Sequence, residues 1–139
     1  MTAIIDANLI VVAGTETSMR GVAARDRLEQ WHLAGEDLHA PQLFSYEVAS
    51  GLRSLQVTAS LSRRTTERTL GFLRTLDVTL HPPSSAPVLI AIARRLLQTK
   101  AYDAAYIDIA LRVGAQLWTL DRSLARNARS AGFPVTLLV

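Results

Sequence analysis

Residues 102–129 read YDAAYIDIALRVGAQLWTLDRSLARNAR, and their pattern decides the fold class. The pattern predicts a helix, a turn at Gly114, a short buried strand over residues 115–120 and a second helix. Glycine tolerates the positive φ that commonly ends a helix, and the strand residues are mostly apolar. One aspartate stands at the start of each helix, Asp103 and Asp121. The segment is typical of α/β proteins.

A second unit of the same kind opens the chain, where the apolar residues 3–5 are followed by Asp6. If the two strands lie parallel in one sheet, Asp6 and Asp121 emerge at the same edge. That edge is the carboxyl edge, where open α/β sheets bind ligands. Several acids that meet there would form a metal site.

The rest of the chain alternates short strands with longer helices. Apolar spacing predicts further helices over residues 8–12, 21–33, 42–55, 65–76 and 87–99, and strands over residues 38–40, 78–80 and 134–139. We expect residues 14–18 to break the first helix, Val22 to face the core and Pro41 to lie in the first turn of a helix. This alternation predicts one α/β domain over residues 1–139, with a central, largely parallel sheet flanked by helices.

Composition narrows the chemistry. The chain has no cysteine, which excludes disulfides, thiolate metal sites and cysteine nucleophiles. Its three histidines, His32, His39 and His81, are scattered without HxxxH spacing, which disfavours a zinc enzyme. A bound metal would therefore be held by oxygen ligands, as Mg²⁺ or Mn²⁺ is. No run approaches the roughly 20 apolar residues of a membrane span and no signal-type segment opens the chain, so we expect a soluble cytoplasmic protein.

The charge balance is basic, with a net charge of +3 and a pI of about 9.9. A basic chain can bind a phosphate polymer, but an arginine-biased genome explains the composition equally well. Arg122, Arg126 and Arg129 form one helical stripe beside Asp121, which suits the binding of RNA phosphates. An ordinary solvated helix face is the alternative.

The acids allow two interpretations. Asp6, Asp103 and Asp121 each precede or begin a helix, where aspartate is a favoured N-cap. Glu47 lies beside the apolar stripe of its predicted helix, and capping cannot explain a carboxylate there. Acids gathered in one cleft repel one another, and a divalent cation would neutralise them.

Three other polar residues also allow alternative roles. Asp108 precedes Arg112 by four residues, so a solvated helical ion pair is expected rather than a ligand. Asn8 either orients a water at the metal or caps the first helix. Thr119 either supports an acidic ligand by a hydrogen bond or reflects strand propensity alone.

The order and spacing of these residues resemble a PIN-domain ribonuclease, and the size and last helix resemble the VapC-type toxins of bacterial toxin–antitoxin modules. The resemblance covers essentially the whole chain. It rests on four stretches: Asp6-Ala-Asn8 after the first strand, Glu47 in a mid-chain helix, Tyr102-Asp103-Ala104-Ala105, and Leu-Trp-Thr119-Leu-Asp121-Arg122.

The resemblance implies an endoribonuclease that depends on Mg²⁺ or Mn²⁺ and cleaves RNA phosphodiester bonds by metal-activated water. It implies Asp6, Glu47, Asp103 and Asp121 as the catalytic and metal-binding acids, with Asn8 and Thr119 in support. It also implies a homodimer and a cognate antitoxin as partners. The alternative from the residues alone is a non-catalytic α/β module that binds RNA or protein and uses its acids as helix caps.

Overall fold

The structure, a computed structural model, describes residues 1–139 and contains five strands and seven helices. In chain order they are β1 (Thr2–Ile5), α1 (Ala7–Thr15), α2 (Met19–Ala34), β2 (Asp37–Pro41), α3 (Leu43–Thr58), α4 (Arg63–Leu76), β3 (Thr79–His81), α5 (Ala86–Arg95), α6 (Tyr102–Val113), β4 (Gln116–Thr119), α7 (Arg122–Ser130) and β5 (Val135–Leu137). None of the helices combines the length and apolar character that crossing a bilayer requires.

The five strands form one sheet in the order β3-β2-β1-β4-β5, and every neighbouring pair is parallel. β1 lies in the middle, with Ile4 opposite both His39 and Leu117. Because parallel sheets are covered by helices on both faces, the central strand is almost entirely apolar. The predicted α/β fold with a parallel sheet is confirmed.

The core is one contiguous cluster of 34 buried residues. α1 is apolar nearly all round and is packed against α2, α3 and α4, as expected for an enclosed helix. α6 buries seven consecutive residues, from Ala104 to Ala110, between the sheet and α5. These two helices begin at the carboxyl edge of the sheet, so the core fixes the positions of their first residues.

Glycines end two of the helices, and the end at Gly114 was expected. Gly35 and Gly114 adopt positive φ angles of 67° and 76° directly after α2 and α6. Gly114 thereby turns the chain from α6 into β4, the strand that leads to Asp121. The organising segment at residues 102–129 has the predicted order of helix, turn, strand and helix.

One local prediction was wrong and a second was only partly confirmed, because tertiary packing outweighs local preference. Pro41 is the last residue of β2, and α3 begins at Leu43. The break predicted over residues 14–18 occurs at residues 16–18, between α1 and α2, whereas Gly14 itself lies inside α1, where the helix meets α4. A Cβ at Gly14 would stand only 2.2 Å from Oγ1 of Thr69, so the glycine permits the close approach of two helices.

The core face of α2 and the end of α5 also differ from the prediction. Val22 is 44% exposed, and the core face of α2 is formed instead by Ala24, Leu28 and Trp31. α5 ends at Arg95 rather than at residue 99, because Leu97 turns to a positive φ of 59°. The chain then reaches α6 through a short irregular segment.

Candidate active site

Asp6 and Asp121 lie at the ends of neighbouring strands and are joined through one hydroxyl group. Asp6 follows β1, and its Oδ2 accepts a hydrogen bond of 2.7 Å from the Thr119 hydroxyl. The same hydroxyl accepts a 3.0 Å hydrogen bond from the Asp121 amide. Thr119 is fully buried, so this link is shielded from solvent. The predicted supporting position of Thr119 therefore has a direct physical basis.

Both aspartates also cap helices. Asp6 Oδ1 accepts from the amide of Asn8 at the start of α1, and Asp121 Oδ1 accepts from the amide of Leu124 at the start of α7. Asn8 is exposed and does not cap α1, so that alternative for Asn8 was wrong. Asp6 and Asp121 can therefore cap helices and also belong to an acidic cluster.

Glu47 reaches the same edge from α3. Its Oε1 accepts a hydrogen bond of 2.5 Å from the hydroxyl of Tyr106 on α6. The Tyr106 hydroxyl also accepts a long, 3.4 Å hydrogen bond from the amide of Ala7, the neighbour of Asp6. Burial raises the pKa of Tyr106, which keeps its proton on the oxygen and available to Glu47.

Tyr106 was missed by the sequence reasoning. The available signal was a tyrosine inside the apolar run that fills the first half of α6, since a buried tyrosine hydroxyl normally requires a polar partner. That signal predicts a partner but not its identity, because Glu47 lies 59 residues away along the chain.

Asp103 lies in the first turn of α6 and is half-buried, but it caps nothing. No group of the protein donates a hydrogen bond to its carboxylate. Burial raises its pKa to about 6, and the negative charges of Asp6 and Asp121 add to the effect. Asp103 is the acid whose charge the protein leaves uncompensated.

The acids interact as one electrostatic group. Burial raises the pKa of Asp6, with a contribution from Asp121, although hydrogen bonds from Thr119 and nearby amides oppose the shift. Burial likewise raises the pKa of Glu47, and the charges of Asp6 and Asp103 raise it further. Charges influence one another in this way only at short range, so the fold brings the acids from four elements to one edge.

The carboxylates are not arranged as a finished metal cage. No three histidine, aspartate or glutamate side chains of the chain lie close enough together to hold a metal ion. The donor set nevertheless fits Mg²⁺ or Mn²⁺, because all its ligand atoms are carboxylate oxygens and their mutual repulsion lacks a compensating positive charge. Asp103, which has no protein donor, is the carboxylate most open to a cation.

The predicted RNA-binding arginines lie on the helix that follows Asp121. Arg122, Arg126 and Arg129 belong to α7, whose first turn is capped by Asp121. All three are exposed, and none forms an ion pair within the chain. Their guanidinium groups are therefore free to meet an external anion.

The prediction for Asp108 was partly wrong. Arg112 does pair with it at 3.1 Å, but Asp108 is only 3% exposed rather than solvated. Its carboxylate also accepts hydrogen bonds from the amide and hydroxyl of Ser84. These hydrogen bonds hold the loop after β3 against α6. The Asp108 carboxylate tolerates burial because both of its oxygens are hydrogen-bonded.

The largest cavity of the chain lies elsewhere. Its volume is about 530 Å³, and it is bounded by α1, α2 and α4, with Gly14, Arg25 and Arg68 among its lining residues. None of the four acids lines it.

A comparison with protein families agrees with this geometry. The family model described as the PIN domain matches residues 3–130. The chain belongs to the PIN-domain family. The matched range includes all four acids and every strand except β5, so the family assignment covers the whole candidate site.

Two curated relatives are similar to this PIN domain over most of its length. Ribonuclease VapC3 of Mycobacterium tuberculosis is 34% identical over 128 residues, which cover 92% of this chain and 88% of the relative. VapC ribonuclease Mb0985 of Mycobacterium bovis is 32% identical over 110 residues, which cover 76% of this chain and 81% of the relative. Within its family, the chain is therefore a PIN domain of the VapC type.

Solved structures support the fold. The crystal structure of PAE2754 from Pyrobaculum aerophilum covers 91% of this chain with a TM-score of 0.69 and 19% identity, and the match spans 79% of that protein. A domain of a functionally unknown protein from Methanocaldococcus jannaschii covers 99% of this chain with a TM-score of 0.52 and 16% identity, and the match spans 91% of that domain. At these identities the likeness concerns the fold alone.

Proposed function

We propose that this PIN domain is a metal-dependent endoribonuclease and the toxin of a type II toxin–antitoxin system. The observation that carries the proposal is the acidic group at the carboxyl edge, in which Asp103 has a raised pKa and no protein donor. The similarity to two proteins named as VapC ribonucleases supports RNA as the substrate. The exposed arginines of α7 support an anionic polymer as the substrate.

In this proposal Asp6 and Asp103 are the direct ligands of Mg²⁺ or Mn²⁺, and Glu47 and Asp121 complete the site. The cation, when bound, supplies the Lewis acid that stabilises charge on the phosphate and activates water. Thr119 holds Asp6 in place, and Asn8 lies at the exposed start of α1 beside it.

The remaining steps belong to side chains of the protein. Burial raises the pKa of Glu47, which suits a group that accepts a proton from the attacking water. Asp121 is the alternative proton acceptor. Arg122, Arg126 and Arg129 bind phosphates next to the scissile bond and hold the RNA strand in the groove.

The test is RNA cleavage by the purified chain with Mg²⁺, with Mn²⁺ and with EDTA. The wild type is expected to cleave only when a metal is present. Asp6→Asn and Asp103→Asn are isosteric and each should slow cleavage by at least about 100-fold, as loss of a preorganised electrostatic group typically does. Asp26→Asn is the matched control, because Asp26 is an exposed acid of α2 outside the site.

A non-catalytic module with its acids as helix caps makes the opposite prediction. Such a module would bind RNA through its arginines without cleaving it, and Asp103→Asn would change nothing because Asp103 caps no helix. Wild-type cleavage rates in either Asn variant, or cleavage that persists in EDTA, would contradict the proposal.

The partners of the proposed toxin are a cognate antitoxin and a second copy of the chain. Expression of the wild type in bacteria should arrest growth, co-expression of the antitoxin should restore it, and Asp103→Asn should not arrest growth. Light scattering of the purified chain measures whether it is a dimer. If the Asp103→Asn variant still arrested growth, toxicity would not depend on the acidic site, and the proposed toxin mechanism would be wrong.

A further inference from the structure

One hydroxyl group connects three helices at the acidic edge. The Tyr106 side chain of α6 is buried, and its hydroxyl donates a hydrogen bond of 2.5 Å to Oε1 of Glu47 on α3. The amide of Ala7, the first residue of α1, donates to the same hydroxyl at 3.4 Å. Because an amide N–H can only donate, the hydroxyl proton points to Glu47. The fold therefore fixes the direction of this hydrogen bond.

The same hydroxyl places Glu47 beside two other acids. Asp103 and Tyr106 are three residues apart on α6, so their side chains are neighbours on one face of that helix. Ala7 directly follows Asp6 in the chain. The charges of Asp6 and Asp103 both raise the pKa of Glu47, which agrees with this proximity. Tyr106 is thus the contact that holds the Glu47 carboxylate near the starts of α1 and α6.

The two carboxylate oxygens of Glu47 differ in what they can bind. Oε1 accepts the hydrogen bond from Tyr106, whereas no group of the protein donates to Oε2. The Tyr106 side chain is only 2% exposed, so its packing prevents the hydroxyl from following a carboxylate that turns away. Glu47 therefore has one free oxygen, and binding a cation through both oxygens would break the hydrogen bond.

Divalent cations differ in how well they fit this restriction. Mg²⁺ requires a nearly octahedral set of single oxygens, whereas Ca²⁺ takes about six to eight oxygens and often two from one carboxylate. A glutamate with one free oxygen suits the smaller ion. We propose that Tyr106 is a positioning residue that occupies Oε1 of Glu47 and thereby makes the acidic site favour Mg²⁺ relative to Ca²⁺. This inference rests on the proposed metal-dependent function.

The test is the ratio of the Mg²⁺ dissociation constant to the Ca²⁺ dissociation constant, measured by calorimetric titration of the purified chain without RNA. In Tyr106→Phe the Glu47 carboxylate loses its orientation, so Mg²⁺ binding should weaken by about tenfold. Ca²⁺ can use both oxygens of the freed carboxylate, so its dissociation constant should change by less than about threefold. The ratio should therefore rise by at least about threefold.

Tyr102→Phe is the matched control, because Tyr102 precedes Asp103 on α6 but is 57% exposed, and it should leave the ratio unchanged. In a Glu47→Gln background, Tyr106→Phe should no longer change the ratio, since an amide has only one oxygen to offer. An equal loss of affinity for the two cations in Tyr106→Phe would show a structural role only and overturn the proposal.

A second measurement uses the wild type alone and remains decisive if Tyr106→Phe fails to fold. Infrared difference spectra of the chain with isotope-labelled glutamate show whether a glutamate carboxylate binds a cation through one oxygen or two. At one equivalent of Ca²⁺ the wild type should show no bidentate glutamate, and a bidentate signal would overturn the proposal.

The titrations also separate this inference from the proposed function. A wild type that binds neither cation would contradict the proposed metal site, and the inference with it. A wild type that binds both cations, with the same ratio in Tyr106→Phe, would contradict only the role of Tyr106.

Discussion

Replacing Tyr106 with phenylalanine removes one hydroxyl group and leaves the packing of α6 unchanged. The hydroxyl donates to Glu47 at 2.5 Å and accepts from the Ala7 amide at 3.4 Å. The phenylalanine ring fills the same buried space, so no cavity forms. The variant therefore removes both hydrogen bonds of the hydroxyl, of which the short one to Glu47 is the stronger.

The size of the effect follows from the partner of the hydroxyl. A hydrogen bond to a charged group contributes about 1.5–3 kcal/mol to stability. Glu47 is only partly buried and water replaces some of the lost interaction, so we expect a loss of about 1.5 kcal/mol at pH 8. With a urea dependence of about 2 kcal/mol/M, the unfolding midpoint should fall by about 0.7 M.

The loss should depend on pH. Burial raises the pKa of Glu47 above its ordinary value of 4.5, and the Tyr106 hydrogen bond opposes that shift. A carboxyl group with a raised pKa in the fold costs stability as the pH rises through that pKa, because its charged form is the disfavoured one. As the pH falls through the raised pKa, Glu47 gains a proton in the folded chain, and the loss at pH 4.5 should shrink toward about 0.5 kcal/mol, the lower end for a hydrogen bond between neutral groups.

Urea unfolding in EDTA at pH 4.5 and pH 8 measures both values without interference from metal. Tyr46→Phe is the control, because Tyr46 neighbours Glu47 on α3 but is 74% exposed and should be neutral. In a Glu47→Gln background, Tyr106→Phe should lose its pH dependence. An equal loss at both pH values in the wild-type background would refute the reasoning and assign the effect to packing.

Three further predictions concern other parts of the fold. Leu97 has a φ of 59° and is 82% exposed, so Leu97→Gly should relieve backbone strain, stabilise the chain by about 1 kcal/mol and raise Tm by about 3 °C. Gly14→Ala would place a Cβ 2.2 Å from Thr69 Oγ1 and should destabilise the chain by about 1–3 kcal/mol in urea unfolding. In the control Gly71→Ala, the new Cβ meets nothing nearer than 3.9 Å, and the variant should be more stable by up to about 1 kcal/mol. Asp103→Asn should raise the Tm of the metal-free chain at pH 8 but not at pH 4, because a carboxyl group with a pKa of about 6 costs stability only where it is ionised. The same variant should abolish any increase in Tm that Mg²⁺ causes.

The positions of the acids could be predicted from sequence because they follow from local patterns. Asp6 and Asp121 come directly after apolar strands, and parallel strands place their carboxyl ends at one edge. Glu47 was recognisable as a carboxylate beside an apolar stripe. These inferences need only the strand and helix periods, together with the rule that αβ units form parallel sheets.

The partners of those residues could not be predicted, since they depend on contacts between distant segments. Tyr106 meets Glu47 across 59 residues, and His39 meets His81 across 42. The histidines appeared scattered because spacing rules describe neighbours on one element, whereas this pair arises from the register between β2 and β3. Asp108 was misjudged for the same reason, because its partner Ser84 belongs to a loop beyond its own helix.

Two local rules failed where the sheet or a helix contact opposed them. Proline is favoured in the first turn of a helix, yet Pro41 ends β2. It is paired with His81 of β3, and the amide of the following Gln42 donates a hydrogen bond to the His81 carbonyl. Glycine disfavours helix, yet Gly14 remains helical because only a residue without a side chain fits against Thr69. In both cases packing supplies more free energy than the local preference.

Asp103 bears most directly on the choice between a nuclease and a capped binding module. Asp6 and Asp121 accept amide hydrogen bonds at helix starts, so capping alone accounts for their presence. Asp103 has no such bond, and the only local effect in its favour is the dipole of α6, which lowers the pKa of an acid near a helix N-terminus. That effect is outweighed, because burial and two neighbouring carboxylates still raise the pKa of Asp103 to about 6. Under the proposed nuclease function an external cation would account for a carboxylate that destabilises the metal-free fold and satisfies no group of its own chain, whereas a module that used its acids only as caps would have no use for it.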